Sequence, residues 1–324
     1  MVNPKISIII PTYNEEENIW ECLESLLDEY VVKNAEIIVA DGGSKDRTKK
    51  IVQDFKRKHP DLAIRLIDNP FKHQSFGLNA GIKAAQGKII VRIDAHASYP
   101  KDYIQRCVEL LDKTGADNVG GVMHAKGTGG FQKLAALAMN HPIGVGDAKF
   151  RLGRKSGYVD TVYLGTFRKE IFSKLGFFDH YQNQDAEFNL RILDVGGKIF
   201  LDNSIKVDYL PRSSLGALIS QYFNYGRGRC RTTLKHRRFT SFRQLLPILL
   251  VLGLLGPFFL SALVDPLFLL VPISYAAVMV LFSFLILRKN SHRLVQSLSL
   301  ALIFMSMHVS WGMGFWAYLL GISR

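Results

Sequence analysis

Two residues with the chemistry of metal ligands stand one position apart in RIDAHASYP, residues 92–100: Asp94 and His96 follow directly on the apolar run Lys88-Ile89-Ile90-Val91. A carboxylate just past the end of a buried strand can hold a divalent cation, and an imidazole beside it can share that work. Two further polar clusters follow apolar runs in the same way. Pro11-Thr12-Tyr13-Asn14-Glu15 comes after residues 5–10, and Asp41-Gly42-Gly43-Ser44 after residues 35–40.

The elements around these clusters alternate. Residues 5–10, 35–40, 64–68 and 88–93 read as strands, and residues 15–30, 47–59 and 76–85 carry helical spacing, with Ile19, Leu23, Leu26 and Leu27 on one face. Strand and helix in alternation predict an α/β domain built on a parallel sheet covered on both faces. Ligands of such sheets sit beyond the carboxyl ends of the strands, which brings the three clusters together. A dinucleotide fold needs GxGxxG after its first strand, and PTYNEE stands there instead, so hydride transfer is excluded.

Apolar residues make up 48% of the 324, but they are spread unevenly. Residues 245–264, 267–287 and 294–321 contain no Asp, Glu, Lys or Arg. About 20 apolar residues cross a bilayer as a helix, so three transmembrane helices are expected; the first two, joined by Asp265-Pro266, also suit a re-entrant hairpin. Residues 206–324 hold 13 Lys and Arg against two acids, +11 of the total +13. Eight of those basic residues fall within 212–243, directly before the first membrane run, a position that suits anionic lipid headgroups or a lipid-linked phosphate rather than nucleic acid. The loop 288–293 is basic too, which puts both loops and the amino-terminal two thirds in the cytoplasm. No basic leader with a short apolar core precedes the first strand, so no signal peptide is expected. Cys22, Cys107 and Cys230 form no CxxC pair and read as free thiols. The division expected is a catalytic domain over 1–211, a basic interfacial linker over 212–243 and a membrane region over 244–324.

PTYNEEENI, ADGGSKDRT, GLNAGIKAAQGKIIVRIDAH and NQDAEFNLRI lie in an order and spacing that resemble the inverting glycosyltransferases of family 2. LGTFRKEIFSKLGFFD and QYFNYGRGRCRT are similar to the family's membrane-attached subgroup of succinoglycan glucosyltransferase type, and the resemblance covers about residues 5–233. It implies a GT-A fold, Rossmann-like and nucleotide-sugar-binding, followed by an all-α transmembrane region. The resemblance also places the donor's base and ribose against Pro11, Thr12, Tyr13, Glu15 and Asp41, with Asp41 accepting a uracil imide N–H. Asn79 would touch the donor. Asp94 and His96 stand where the family has Asp-x-Asp, which holds Mg²⁺ or Mn²⁺ against the diphosphate; an imidazole ligand tilts the preference toward Mn²⁺. The family's general base falls on Asp185, with Gln184 where many members have glutamate. Helical geometry turns Glu187, the rival acid, away from Asp185. The bland alternatives are that Asp41 caps the Gly42-Gly43 turn, His96 bonds a loop carbonyl, Asp185 caps a helix over 186–193 and Asn79 lies on a helix surface.

Leu215, Leu218, Ile219, Tyr222 and Phe223 recur at helical spacing, so residues 213–225 read as an interfacial helix, or as one packed on the catalytic domain. Gln221 sits where processive synthases carry Gln-x-x-Arg-Trp, but the arginine and tryptophan are missing, which argues against polymerisation. Arg227, Arg229 and Arg231 suit the phosphates of a polyprenyl-diphosphate acceptor or of lipid headgroups. Ser241 and Gln244 fit a capping box before the first membrane run, and His308 fits a helix-packing hydrogen bond. Together these residues lead to a multi-pass inner-membrane, metal-dependent hexosyltransferase with a cytoplasmic catalytic domain. It would move glucose from UDP-glucose to a hydroxyl of a polyprenyl-linked saccharide in polysaccharide assembly, with membrane lipids as partners, no nucleic acid and an oligomer allowed. The alternatives are a polyprenyl-phosphate sugar synthase of the same fold and a non-catalytic scaffold or sugar-lipid translocator.

Overall fold

The structure is a computed structural model that describes residues 5–181, 183–239, 241–288 and 293–322; most of the basic loop 288–293 lies outside the described residues. In chain order the elements are β1 (Ile6–Thr12), α1 (Ile19–Ser25), α2 (Glu29–Asn34), β2 (Ala35–Asp41), α3 (Thr48–Lys58), β3 (Ala63–Asp68), α4 (Gln74–Ala84), β4 (Ile89–Arg92), β5 (Ala97–Ser98), α5 (Tyr103–Thr114), β6 (Asn118–Ala125), α6 (Gly130–Met139), α7 (Pro142–Val145), α8 (Lys149–Leu152), β7 (Gly157–Tyr158), β8 (Tyr163–Arg168), α9 (Glu170–Leu175), α10 (Gln184–Asp194), β9 (Ile199–Tyr209), α11 (Leu215–His236), α12 (Leu245–Leu263), α13 (Leu270–Ile286) and α14 (Arg293–Leu319). Two compact units result, one from residues up to His124 with Lys149–Tyr209, the other from Ala125–Ala148 with Leu210–Arg324.

The first unit is built on one sheet in the order β3-β2-β1-β4-β8-β6-β9-β5, with β7 paired to β9. β1 runs parallel to β2 and β4, and β2 to β3. Every residue of β1 and β2 is buried, as expected of parallel strands with helices on both faces. Their register sets Thr12 opposite Asp41 and Asp41 opposite Asp68, so the carboxyl ends of three strands finish level. Beyond β4 the sheet departs from the all-parallel expectation, because β8 pairs antiparallel with both β4 and β6. Ile9, Ile38 and Ile90 share a core with the ring cluster Phe167, Phe172, Phe178 and Phe188. The helix expected over 15–30 is two helices, because Asp28 accepts the Val31 N–H at 2.6 Å and starts α2 afresh.

Among the described residues of the second unit three helical segments are long and apolar enough to cross a membrane: Phe242–Leu263, Pro266–Ile286 and Leu294–Leu319, with mean hydropathies of 2.3, 2.4 and 1.4. The first two expose most of their side chains, whereas the third is half buried among its neighbours. Glycines allow that burial. A Cβ at Gly226 of α11 would lie 1.9 Å from the Trp311 carbonyl oxygen, and one at Gly314 of α14 would lie 2.0 Å from the Phe223 oxygen. The pairing 226 with 311 and 223 with 314 makes the two helices antiparallel. Gly312 meets Pro247 of α12 in the same way.

One face of α11 is packed on α14. Leu218, Tyr222, Gly226 and Cys230, each one turn after the last, are buried, and the glycine face is given to α14. Gly226 is a helix contact, and α11 continues past the expected end at residue 225 to His236. The capping box at Ser241 is also absent: residues Phe242–Gln244 form a 3-10 turn and the Ser241 side chain makes no cap bond. His308 packs as expected, its Nε2 2.6 Å from the Ile143 carbonyl oxygen and its Nδ1 3.0 Å from the Tyr275 hydroxyl. Gly226→Ala is expected to lower stability by about 1–3 kcal/mol, because backbone rather than a flexible side chain must give way. Thermal unfolding in detergent would show it, with Gly216→Ala, where a Cβ meets nothing within 4 Å, as the neutral control.

Candidate active site

The site is built where β1, β2 and β4 end. Thr12 and Asp41, level by register, are buried, and the Thr12 hydroxyl donates to Asp41 Oδ1 at 3.4 Å. The same Oδ1 accepts from Ser44 Oγ at 2.5 Å, while Oδ2 accepts from the N–H groups of Gly43 and Ser44, both at 2.9 Å. Lys49 Nζ adds an ion pair at 3.4 Å. Asp41 thus caps the Gly42-Gly43-Ser44 turn, and its lone pairs are already shared out. Tyr13 is exposed above the same turn, with Lys72 Nζ 5.8 Å over its ring.

Past β4 the chain makes a tight loop held by one phenol. The Asp94 N–H donates to Tyr99 Oη at 2.8 Å, and the Tyr99 hydroxyl donates back to the Asp94 carbonyl at 3.2 Å. Burial first, then Cys22 and Asp94, push the Tyr99 hydroxyl well above its ordinary value, so it keeps the proton it donates. The Cys22 thiol, also raised by burial first, lies 3.7 Å from the same carbonyl. Asp94 is buried, and its Oδ1 accepts from Gln74 Nε2 at 2.7 Å.

A residue that the motifs did not point to connects this loop with α10. Arg92, the last residue of β4, sends Nη1 to Asp185 Oδ2 at 2.7 Å and Nη2 to Asp94 Oδ1 at 3.4 Å. Burial alone would lower its pKa, yet Asp185 and then Asp94 outweigh that and hold it above its ordinary value. In parallel, Gln184 Nε2 donates to Gln74 Oε1 at 2.9 Å, so the amides of Gln74 and Gln184 link the Asp94 carboxylate to α10 beside the Arg92 ion pairs.

The other expected residues fall as follows. Asp185 lies in the first turn of α10 and is not its cap, because Asn183 at φ 64° takes that place without a side-chain bond. Glu187 is buried and paired with Arg191 at 2.9 Å, which removes it as a rival acid. Asn79 is buried and not on a helix surface: its Nδ2 donates to the Phe178 carbonyl at 2.8 Å and its Oδ1 accepts the Phe178 N–H at 3.0 Å. His96 is partly exposed, with Nδ1 3.3 Å from Glu15 Oε1. Pro11 lies in β1 beside Thr12. On α11, in the other unit, Gln221 is buried and donates to Tyr225 Oη at 3.0 Å. Arg227 and Arg231 share a helix face one turn apart, but Arg229 falls between them and points elsewhere, so the three do not form one cluster.

Among the described residues no three His, Cys, Asp or Glu gather as a metal cage. The donor set fits a cation of the kind held by one or two side chains and completed by substrate phosphates and water. Asp94 Oδ2 makes no hydrogen bond among the described residues, so it remains able to take such an ion.

The glycosyl transferase family 2 model matches residues 7–176 of this chain, just over half of it. The succinoglycan biosynthesis protein ExoA of Rhizobium meliloti is 34% identical over 321 residues, covering 98% of this chain and 96% of that one. The chain belongs to glycosyl transferase family 2. A second relative of this transferase, from Methanococcus voltae, is 29% identical over 230 residues, 68% of this chain and 71% of its own, and is named a dolichyl N-acetyl-α-D-glucosaminyl phosphate 3-β-D-2,3-diacetamido-2,3-dideoxy-β-D-glucuronosyltransferase. The fold is shared with the mannosyltransferase PcManGT of Pyrobaculum calidifontis, solved with GDP-Man and Mn²⁺: TM-score 0.63 at 19% identity, over 99% of this chain and 88% of that one. The transferase is thus a GT-A protein with three apolar carboxyl-terminal helices.

The transferase's Arg92 was legible in one respect. A charged residue inside the apolar run of β4 must be paired where it is buried, and a search for its partners leads to nearby acids. Gln74 carried no such signal, because neither its type nor its place at the start of α4 marks it.

Proposed function

We propose that the protein is a membrane-anchored, metal-dependent inverting glycosyltransferase that moves a hexose, glucose from UDP-glucose, to a hydroxyl of a polyprenyl-diphosphate-linked saccharide. One observation carries this reading: Asp94, just past β4, and Asp185, at the start of α10, are held by the two nitrogens of one buried guanidinium. Two acids so placed can divide the labour of a displacement, one at the leaving diphosphate and one at the incoming hydroxyl. The full-length likeness to a succinoglycan biosynthesis protein supports polysaccharide assembly as the setting.

In this mechanism Tyr13 and Glu15 take the donor's nucleoside, and Asp41 holds the turn that shapes its pocket. A divalent ion held by Asp94, with His96 beside it, would neutralise charge on the departing diphosphate. The acceptor hydroxyl comes from the other face of the sugar. Its proton passes to Asp185 as the new O–C1 bond forms and the C1–O bond to phosphate breaks, the electron pair leaving with the nucleoside diphosphate. The anomeric centre inverts, so an α-linked donor gives a β-linked product. The three apolar helices anchor the chain, and the basic stretch 212–243 keeps the catalytic unit on the cytoplasmic side of the inner membrane.

The test is nucleoside-diphosphate release by the purified full chain across a panel of nucleotide sugars, in native lipid extract, with Mn²⁺, Mg²⁺ or chelator. Release from UDP-glucose alone, dependent on metal and on extract, is the expected result. Release from another nucleotide sugar would replace the donor, and transfer to a bare polyprenyl phosphate would replace the acceptor. No release and no nucleotide binding would make the protein a scaffold.

A further inference from the structure

We infer that Arg92 is the positioning residue of the transfer step: it fixes which oxygen of Asp185 receives the acceptor's proton, and it ties that choice to the donor side at Asp94. This inference rests on the reading of Asp185 as the general base. The terminal torsion of an aspartate is broad and nearly two-fold, so an unheld carboxylate presents either oxygen. Here Oδ2 is pinned by Nη1 at 2.7 Å, and Oδ1 makes no hydrogen bond among the described residues. The side chain is 37% exposed while its partner Arg92 is 6% exposed, so the pinned oxygen faces the protein and the other is left for the acceptor.

The identity of the holder matters. Only a fork can reach two carboxylates with two nitrogens in one fixed plane, and lysine is a single point. Arg92 leaves β4 two residues before Asp94, so a rigid strand sets the fork's origin. The amide relay Asp94–Gln74–Gln184 then fixes the first residue of α10, the neighbour of Asp185, from the same carboxylate. A base whose oxygen is aimed before the acceptor arrives saves the search for a reactive geometry, and small misplacements at such a site cost about 10²-fold in rate. A core ion pair kept for stability would not need both of its anions at the end of β4 and the start of α10.

The experiment compares Arg92→Lys with the parent in transfer rate, donor KM, nucleoside-diphosphate Kd and thermal unfolding. The expected result is a fall in kcat of about 30-fold or more with KM and Kd moved less than about threefold. The double variant Arg92→Lys/Asp185→Asn should be no slower than Asp185→Asn alone, because a positioning residue has nothing left to position. Unchanged kcat in Arg92→Lys, or losses that multiply in the double variant, would overturn the proposal while leaving the base reading intact. Near-normal turnover in Asp185→Asn removes the base reading and this inference with it. Should Arg92→Lys not fold, Asp185→Glu serves instead. It keeps the carboxylate but displaces its oxygens against the fixed guanidinium, and a glutamate that turns over like aspartate would equally overturn the proposal.

Discussion

Asp185→Asn is expected to lose about 10²–10⁴-fold in kcat, the contribution of a general base to proton transfer. The substitution is close to isosteric, and the amide oxygen can still accept from Arg92 Nη1, so the start of α10 keeps its contacts to Gln74 and Arg92. What disappears is an oxygen able to take a proton at neutral pH. Nucleoside-diphosphate affinity should stay within about threefold, since Asp185 acts on the acceptor and not on the leaving group. Steady-state release with saturating donor and acceptor, beside a nucleotide-binding isotherm, separates the two. Near-normal kcat would mean that the acceptor arrives already anionic, and the lipid-phosphate synthase reading would take over.

The site was partly legible because in a parallel sheet the chain order of strands is enough to bring strand ends together. Thr12, Asp41 and Asp94 could be placed near one another by that rule alone, and the β1–β2 register sets the first two abreast. The rule does not say what each side chain already holds. Asp41 reads as a ligand for the base through the resemblance alone, and its neighbours Gly43 and Ser44 put N–H groups within reach of it. Asn79 read as a donor contact by motif, and its partner Phe178 lies 99 residues away, where no local pattern could find it. In the apolar region the composition showed three crossing-length helices but not that α14 is their centre. The apolar spacing ends the helix at residue 225, whereas Gly226 serves a helix contact that depends on the remote Trp311 and Phe315.

The second large effect is expected at Asp94. Asp94→Asn keeps the shape and removes the charge that would hold the cation, so turnover should fall by at least about 10²-fold at metal concentrations that saturate the parent. The more telling result is a loss of linkage. In the parent, chelator should weaken nucleoside-diphosphate binding, because ion and diphosphate are bound together. In Asp94→Asn the affinity with Mn²⁺ should fall to the chelated level, and chelator should then change nothing further. A general loss of folding would weaken binding with and without metal, and thermal unfolding would report it. Arg92→Lys is the internal comparison: it disturbs a neighbour 3.4 Å from the same carboxylate and should keep the full metal response. If Asp94→Asn also keeps that response, the ion is held elsewhere, and the remaining residues to test are His96 and Glu15, which already approach each other at 3.3 Å.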